Sequence, residues 1–217
     1  MSSSEAQHAH NPYLAHHFDT MGQQEYAARL GMWLFIATEV LLFAGLFLGY
    51  TVYRWMYPQT YQACADLLSV PMGATNTVVL ITSSFTAAWA YHAIKYNQIK
   101  RGLALLAVTI AFACVFLVVK YFEYAHKFSV GQLPGKWYSF EGLQAPGANL
   151  FFAVYFLATG LHGLHVLIGM TVLGFIFYRT VKGRYHASNY VGVELGVLYW
   201  HLVDLVWIFL FPLLYLI

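Results

Sequence analysis

Five long apolar runs divide the chain, near residues 30–53, 74–95, 102–122, 149–178 and 193–217. None alternates polar with apolar at every second position, so none reads as a barrel strand. Each is long enough to cross a bilayer, which takes roughly 20 apolar residues. The fold class predicted is therefore all-α: a polytopic membrane bundle of five helices over residues 29–217, behind a polar N-terminal tail at 1–28. The fourth run exceeds the thickness of the hydrocarbon core, so it should tilt or protrude. The segment GQLPGKWYSFEGLQAPGAN between the third and fourth runs holds Pro134, Gly135, Pro146 and Gly147, which break helices and predict an exposed loop.

Composition narrows the class. Hydrophobic residues make up 60% of the 217 and charged residues only 9%, against about 25% charged in soluble domains. Little of the chain lies outside the bilayer, and a net charge of +2 gives no footprint for nucleic acid. The tail has neither a basic start nor an apolar stretch of a cleaved signal. Its histidines (His8, His10, His16, His17) read as a polar tail rather than a metal site. Cys64 and Cys114 form no metal spacing and read as free, buried cysteines. Lys95, Lys100, Arg101, Arg179, Lys182, Arg184 and Arg29 gather on one side of the bundle, against Arg54, Lys127 and Lys136 on the other. The positive-inside rule then puts the N-terminus in the cytoplasm and the C-terminus in the periplasm. No internal repeat is visible, which disfavours an inverted-repeat transporter.

Polar residues inside the runs carry the chemistry. Glu39 sits mid-span, where a carboxylate costs ~2.5–3.5 kcal/mol on insertion scales, so it should face protein, water or a headgroup. Gly45 and Gly49 have the GxxxG spacing that admits a neighbouring helix. Asn76, Thr77, Thr82, Ser83, Ser84 and Thr86 read as packing glue for the second span. Lys120 and Glu123 are three apart and can pair, close to the surface where snorkelling is easy. His162 and His165 share a face with Thr159, and Gly160, Gly163 and Gly169 keep it thin. A metal there would need ligands from facing helices, and pairing of histidine with a carboxylate is the stronger reading. Glu194, His201 and Asp204 form one stripe on the last span, suited to a buried contact, in which His201 and Asp204 can bond each other. No nucleophile–base pair, phosphate loop or cofactor fingerprint accompanies them. A proton or small-solute transporter with Glu39, His165, His201 and Asp204 as a relay, or a haem protein ligated through His162 or His165, are the competing readings.

Taken in order, GMWLFIATEVLLFAG, NTVVLITSS, the Glu123–Tyr124 segment, FFAVYFLATGLHGLHVLIG and VELGVLYWHLVDLVWIFLF resemble subunit III of the haem-copper oxidases. The likeness covers nearly all of Arg29–Ile217, although Lys120 stands where the family often has a neutral polar residue. The family's longer form has seven helices; a five-helix form implies a bacterial protein of the inner (plasma) membrane. The resemblance implies a structural subunit without a redox centre of its own, its haem and copper lying in partner subunits I and II. It also implies packing against subunit I, a cleft of structural phospholipids that Glu39 would line, and support for proton uptake and for the catalytic core's lifetime. Arg179 and Lys182, and more weakly Arg184, match the basic residues that hold lipid phosphate. Further respiratory subunits or a supercomplex are possible partners. The resemblance leaves open a cytochrome c oxidase, a quinol oxidase and a nitric-oxide-reductase-associated relative, and it leaves the chain's own part in the enzyme unassigned.

Overall fold

The computed structural model describes residues 13–217, so His8, His10 and Asn11 lie outside the described residues. Six α-helices follow one another: α1 (Met21–Met56), α2 (Pro58–Asp66), α3 (Val70–Lys95), α4 (Ile99–Ser129), α5 (Ala148–Val181) and α6 (Val191–Tyr215). All but the short α2 are long and apolar enough to span a membrane. The described residues contain no strand, only a lone bridge between His186 and Asn189. Short links after α3 and α5 make their neighbours antiparallel. The start of α1, the α3–α4 link and the α5–α6 link therefore share one end of the bundle, and α2 and the loop before α5 share the other.

The helices outrun the apolar runs. At 36 residues, α1 is longer than α5 at 34, and its length of about 54 Å exceeds a ~30 Å hydrocarbon core. It begins at Met21, inside the stretch assigned to the tail, because Thr20 caps it: the Thr20 hydroxyl accepts from the Gln23 backbone N–H at 3.2 Å. Likewise α4 continues through polar residues to Ser129. The unforeseen α2 starts with Pro58 in its first turn, where a missing N–H costs nothing. It tucks Tyr61 and Cys64 fully inside, and burial pushes the Cys64 thiol up to about 12. Cys114, by contrast, is exposed on the outside of α4 and is not the buried cysteine expected.

At the centre of the bundle stands α6. Of its most apolar stretch 56% is buried, against 6% for α1, which makes α1 a peripheral helix. Trp200 and Trp207 of α6 are fully buried. Their indole N–H groups donate to Ser83 Oγ at 3.1 Å and Thr77 Oγ1 at 3.0 Å on α3, so the α3 hydroxyls do join helices. A further pair, Thr86 and Thr109 at 2.8 Å, ties α3 to α4. Close approach of α5 and α6 depends on Gly169, where a methyl group would meet Trp200 Cε3 at 2.8 Å. Gly160 and Gly163 do not share that role: they face an open groove, with nothing within 4 Å of Gly163. The GxxxG glycines Gly45 and Gly49 also meet nothing within 4 Å, so no helix among the described residues uses that spacing.

Gly169→Ala should overpack the α5–α6 seam and destabilise the chain by about 1–3 kcal/mol. Gly163→Ala should leave thermal unfolding of the detergent-solubilised protein unchanged. Equal melting shifts for the two would refute the close approach.

Candidate functional site

Six of the ionisable groups on the spanning helices form three bonded pairs, staggered from one end of the bundle to the other. Nearest the start of α1, Arg29 grips Glu194 of α6. Its Nε donates to Oε1 at 2.9 Å and its Nη2 to Oε2 at 3.0 Å, with Glu25 one turn away at 3.4 Å. This fork matches the planar guanidinium to the carboxylate.

At mid-depth, Glu39 of α1 meets His165 of α5, with Oε2 and Nε2 2.8 Å apart. The other ring nitrogen, Nδ1, lies 2.7 Å from the Leu161 carbonyl oxygen. A carbonyl only accepts, so Nδ1 carries a hydrogen. Nε2 then bonds Glu39 in either of two proton states, imidazolium with carboxylate or neutral imidazole with carboxylic acid. Glu39 thus faces protein, and His165 pairs with a carboxylate as its depth demands.

Towards the opposite end, Lys120 and Glu123 pair within α4 at 2.8 Å. They do not snorkel: they are 7% and 3% exposed, because α4 carries on past them and α5 and α6 close over them. Tyr155 of α5 and Tyr215 of α6 both donate to Glu123 Oε1, at 2.9 and 2.6 Å. Lys120 Nζ also donates to the two phenolic oxygens at 3.1 Å each. Lys127, counted above among surface charges, is buried here too, its ammonium over the Phe152 and Tyr155 rings. The two ammonium groups thus share the Tyr155 ring, Lys120 bonding Glu123 and Lys127 reaching Gln132 Oε1 at 3.4 Å, with Tyr124 bonding Thr159 alongside at 2.5 Å. Only the i,i+3 spacing of Lys120 and Glu123 signals this knot in the sequence.

The remaining candidates part company. His162 is fully buried between Phe116 and Trp207, and neither ring nitrogen has a hydrogen-bond partner. His201 bonds Ser84 at 2.6 Å and not Asp204. The stripe on α6 therefore serves separate places: Glu194 binds α1, while His201 and Asp204 face α3. Glu39 and His165, at the α1–α5 contact, do not join them in one relay. Among the described residues, no three His, Cys, Asp or Glu side chains gather as a metal-holding set.

The basic cluster lies at the end of α5 and just beyond it. The Arg179 guanidinium sits over the Phe175 ring at 4.7 Å and the Lys182 ammonium over Tyr178 at 5.7 Å. Arg184 lies over Tyr13 at 5.5 Å. Phe175 also lines an open apolar groove of about 350 Å³, walled by Met32 and Phe35 of α1 and by Leu195 and Tyr199 of α6. Through Phe175, the Arg179 guanidinium lies beside this apolar groove.

Comparison with known proteins gives one consistent answer. The cytochrome c oxidase subunit III family profile matches residues 11–217. Cytochrome c oxidase subunit 3 of Thermostichus vulcanus is 35% identical over 189 residues, covering 86% of this chain and 86% of its own length. The protein of the same name from Dugong dugon is 32% identical over 211 residues, covering 94% of this chain and 73% of its own.

Removing one partner of the buried knot should be costly and unequal. Glu123→Leu strands the buried Lys120 ammonium and two phenolic hydroxyls and should cost about 3–5 kcal/mol. Lys120→Met leaves Glu123 with two phenol donors and a nearby Lys127, so its loss should be clearly smaller. Denaturant titration of the purified variants decides; a Lys120→Met loss equal to or above that of Glu123→Leu would contradict the shared-carboxylate picture.

Proposed function

The chain belongs to the cytochrome c oxidase subunit III family, and from that membership we propose that it is a non-catalytic, stabilising subunit of a respiratory oxidase. It is a multi-pass membrane protein and a subunit III of a haem-copper oxidase, which implies a complex with other oxidase subunits. In the proposed role it packs against subunit I, leaves haem and copper to its partners, and keeps phospholipid and proton uptake in order around the catalytic core. The observation that carries this reading is the engagement of six of its ionisable groups in three pairs that hold the helices together. Arg29 holds Glu194, Glu39 holds His165 and Lys120 holds Glu123; groups so paired orient helices. The name shared by the relatives supports cytochrome c as the electron donor. The location follows the same reasoning: a bacterial inner membrane, with the end bearing Arg29, Lys95, Arg101, Arg179 and Lys182 in the cytoplasm.

Arg179, Lys182 and Arg184 are the proposed lipid-phosphate ligands. Arginine donates two parallel bonds to a phosphate and lysine one compact charge. Phe175, under the Arg179 guanidinium and in the wall of the groove, couples headgroup to alkyl chain.

Arg179→Ala with Lys182→Ala should lower the phospholipid retained by the purified complex and shorten its active lifetime several-fold, while the initial turnover stays near normal. Native mass spectrometry reads the lipid and a progress curve reads the lifetime; full lipid occupancy in the double variant would sink the assignment. Glu39→Gln should assemble normally, because a glutamine amide can donate to Nε2 of a neutral His165. Failure of that variant to co-purify with haem-bearing subunits would show that the bond requires the full ion pair.

A further inference from the structure

Three polar side chains, Ser84, His201 and Asp204, meet on the outer face shared by α3 and α6. Ser84 lies between the other two. It bonds His201 Nδ1 at 2.6 Å and is within hydrogen-bonding reach of the Asp204 carboxyl. One hydroxyl engages at most one imidazole nitrogen and one carboxyl oxygen here. His201 Nε2 and the second oxygen of Asp204 therefore keep bonding capacity. The three line a notch of about 400 Å³ whose rim includes Ile81, Phe85 and Leu205. The rim faces outwards: Phe85 is 64% and Leu205 51% exposed.

Depth selects what such a notch can bind. Asp204 and Ser84 each lie 11 positions before the ends of their helices, Tyr215 and Lys95, or about 16 Å. Those ends face opposite sides of the membrane, so the cluster sits at its middle. Phospholipid headgroups stay outside a hydrocarbon core ~30 Å thick, and their acyl chains make no hydrogen bond. A lipid-borne ligand for this cluster must therefore carry its polar atoms on an otherwise apolar molecule that lies within the core. A quinone has that chemistry: a planar ring with two opposed oxygens on an isoprenoid tail.

The spacing suits such a ring. His201 and Asp204 are three apart on α6, which places their Cβ atoms ~5–6 Å apart on one face. One ring lying across them meets His201 Nε2 with one oxygen and the Asp204 carboxyl with the other. An oxidised ring accepts from an imidazole N–H, and a reduced ring donates its hydroxyl to a carboxylate. Phe85 offers an aromatic face at the rim, and Ile81, Leu205 and Ile208 an apolar path for the tail. The volume falls within the ~300–1,000 Å³ of small-ligand pockets.

We propose that this notch binds the ring of a membrane quinone, with His201 and Asp204 as its polar ligands and Ser84 orienting the imidazole. The notch is built from this chain alone, and no electron transfer is assigned to it. It is separate from the groove beside Arg179, which lies between α1, α5 and α6.

The test uses the purified membrane complex in lipid nanodiscs, with an azido-substituted benzoquinone that bears a decyl tail. Illumination should label peptides covering residues 81–88 or 201–208, identified by mass spectrometry. Excess decylubiquinone should reduce that label at least tenfold, and decanol should not. His201→Leu with Asp204→Leu should reduce it as strongly. So should Ala88→Phe, which fills the notch from an exposed position and spares the fold. Label that decanol displaces equally, or that Ala88→Phe leaves in place, overturns the quinone site. An intact complex without label on either helix overturns it too, and leaves the oxidase reading standing. A chain that is labelled at the notch but brings down no haem-bearing subunit overturns the oxidase reading and keeps the site. Should the double variant fail to accumulate, Ala88→Phe still decides.

Discussion

A charge in hydrocarbon must be answered by another group, and this bundle is arranged around that requirement. The densest answer is the knot at Lys120 and Glu123. One carboxylate receives an ammonium and two phenolic hydroxyls from three helices. Those bonds require Tyr155 and Tyr215 to approach α4 at one level, so they fix α4, α5 and α6 relative to each other. Apolar packing between helices could not do this alone, because lipid tails are as apolar as leucine and provide no driving force for association. Shape completes the arrangement where Gly169 lets the buried Trp200 approach α5 closely.

That same rule separates what was legible in the sequence from what was not. The five spans follow from length and hydropathy, and the observed helices contain them except for the last two residues of the fifth. Their ends were less legible, because hydropathy records where lipid is and not where helix stops. Thr20 followed by Gln23 carries the pattern of an N-cap with a returning side chain, with Gln23 Oε1 accepting from Asp19 at 3.1 Å. The polar turns after it conceal this signal in an apolar scan. Reading α4 as ending near residue 122 put Lys120 and Glu123 at the surface; its continuation to Ser129 puts them inside.

Partners were least legible. The i,i+3 pairing of Lys120 and Glu123 is local and can be read directly. Arg29 and Glu194 are 165 positions apart, and Glu39 and His165 are 126 apart, so no helical period connects them. On α6, sequence alone cannot tell which residue on a stripe turns to which neighbour. Glu194 turns to α1, and His201 to α3. The basic residues were visible as a cluster, but the Arg179–Phe175 contact that joins them to a groove exists only once α1, α5 and α6 are assembled.

The peripheral helix takes this reasoning furthest. With only 6% of its most apolar stretch buried, α1 has little packing to fix its rotation, and its two polar contacts supply that restraint. Arg29 and Glu39 are ten positions apart, about 15 Å along the axis. At about 100° per residue, ten positions fall about 80° short of three full turns. The two side chains therefore leave α1 in directions about 80° apart, and they meet different helices, α6 through Glu194 and α5 through His165. One contact alone would let α1 pivot about it. Two at different heights and azimuths set both its rotation and its tilt. This fixes the α1 wall of the apolar groove beside Arg179, which Met32 and Phe35 form from the turns between the two anchors.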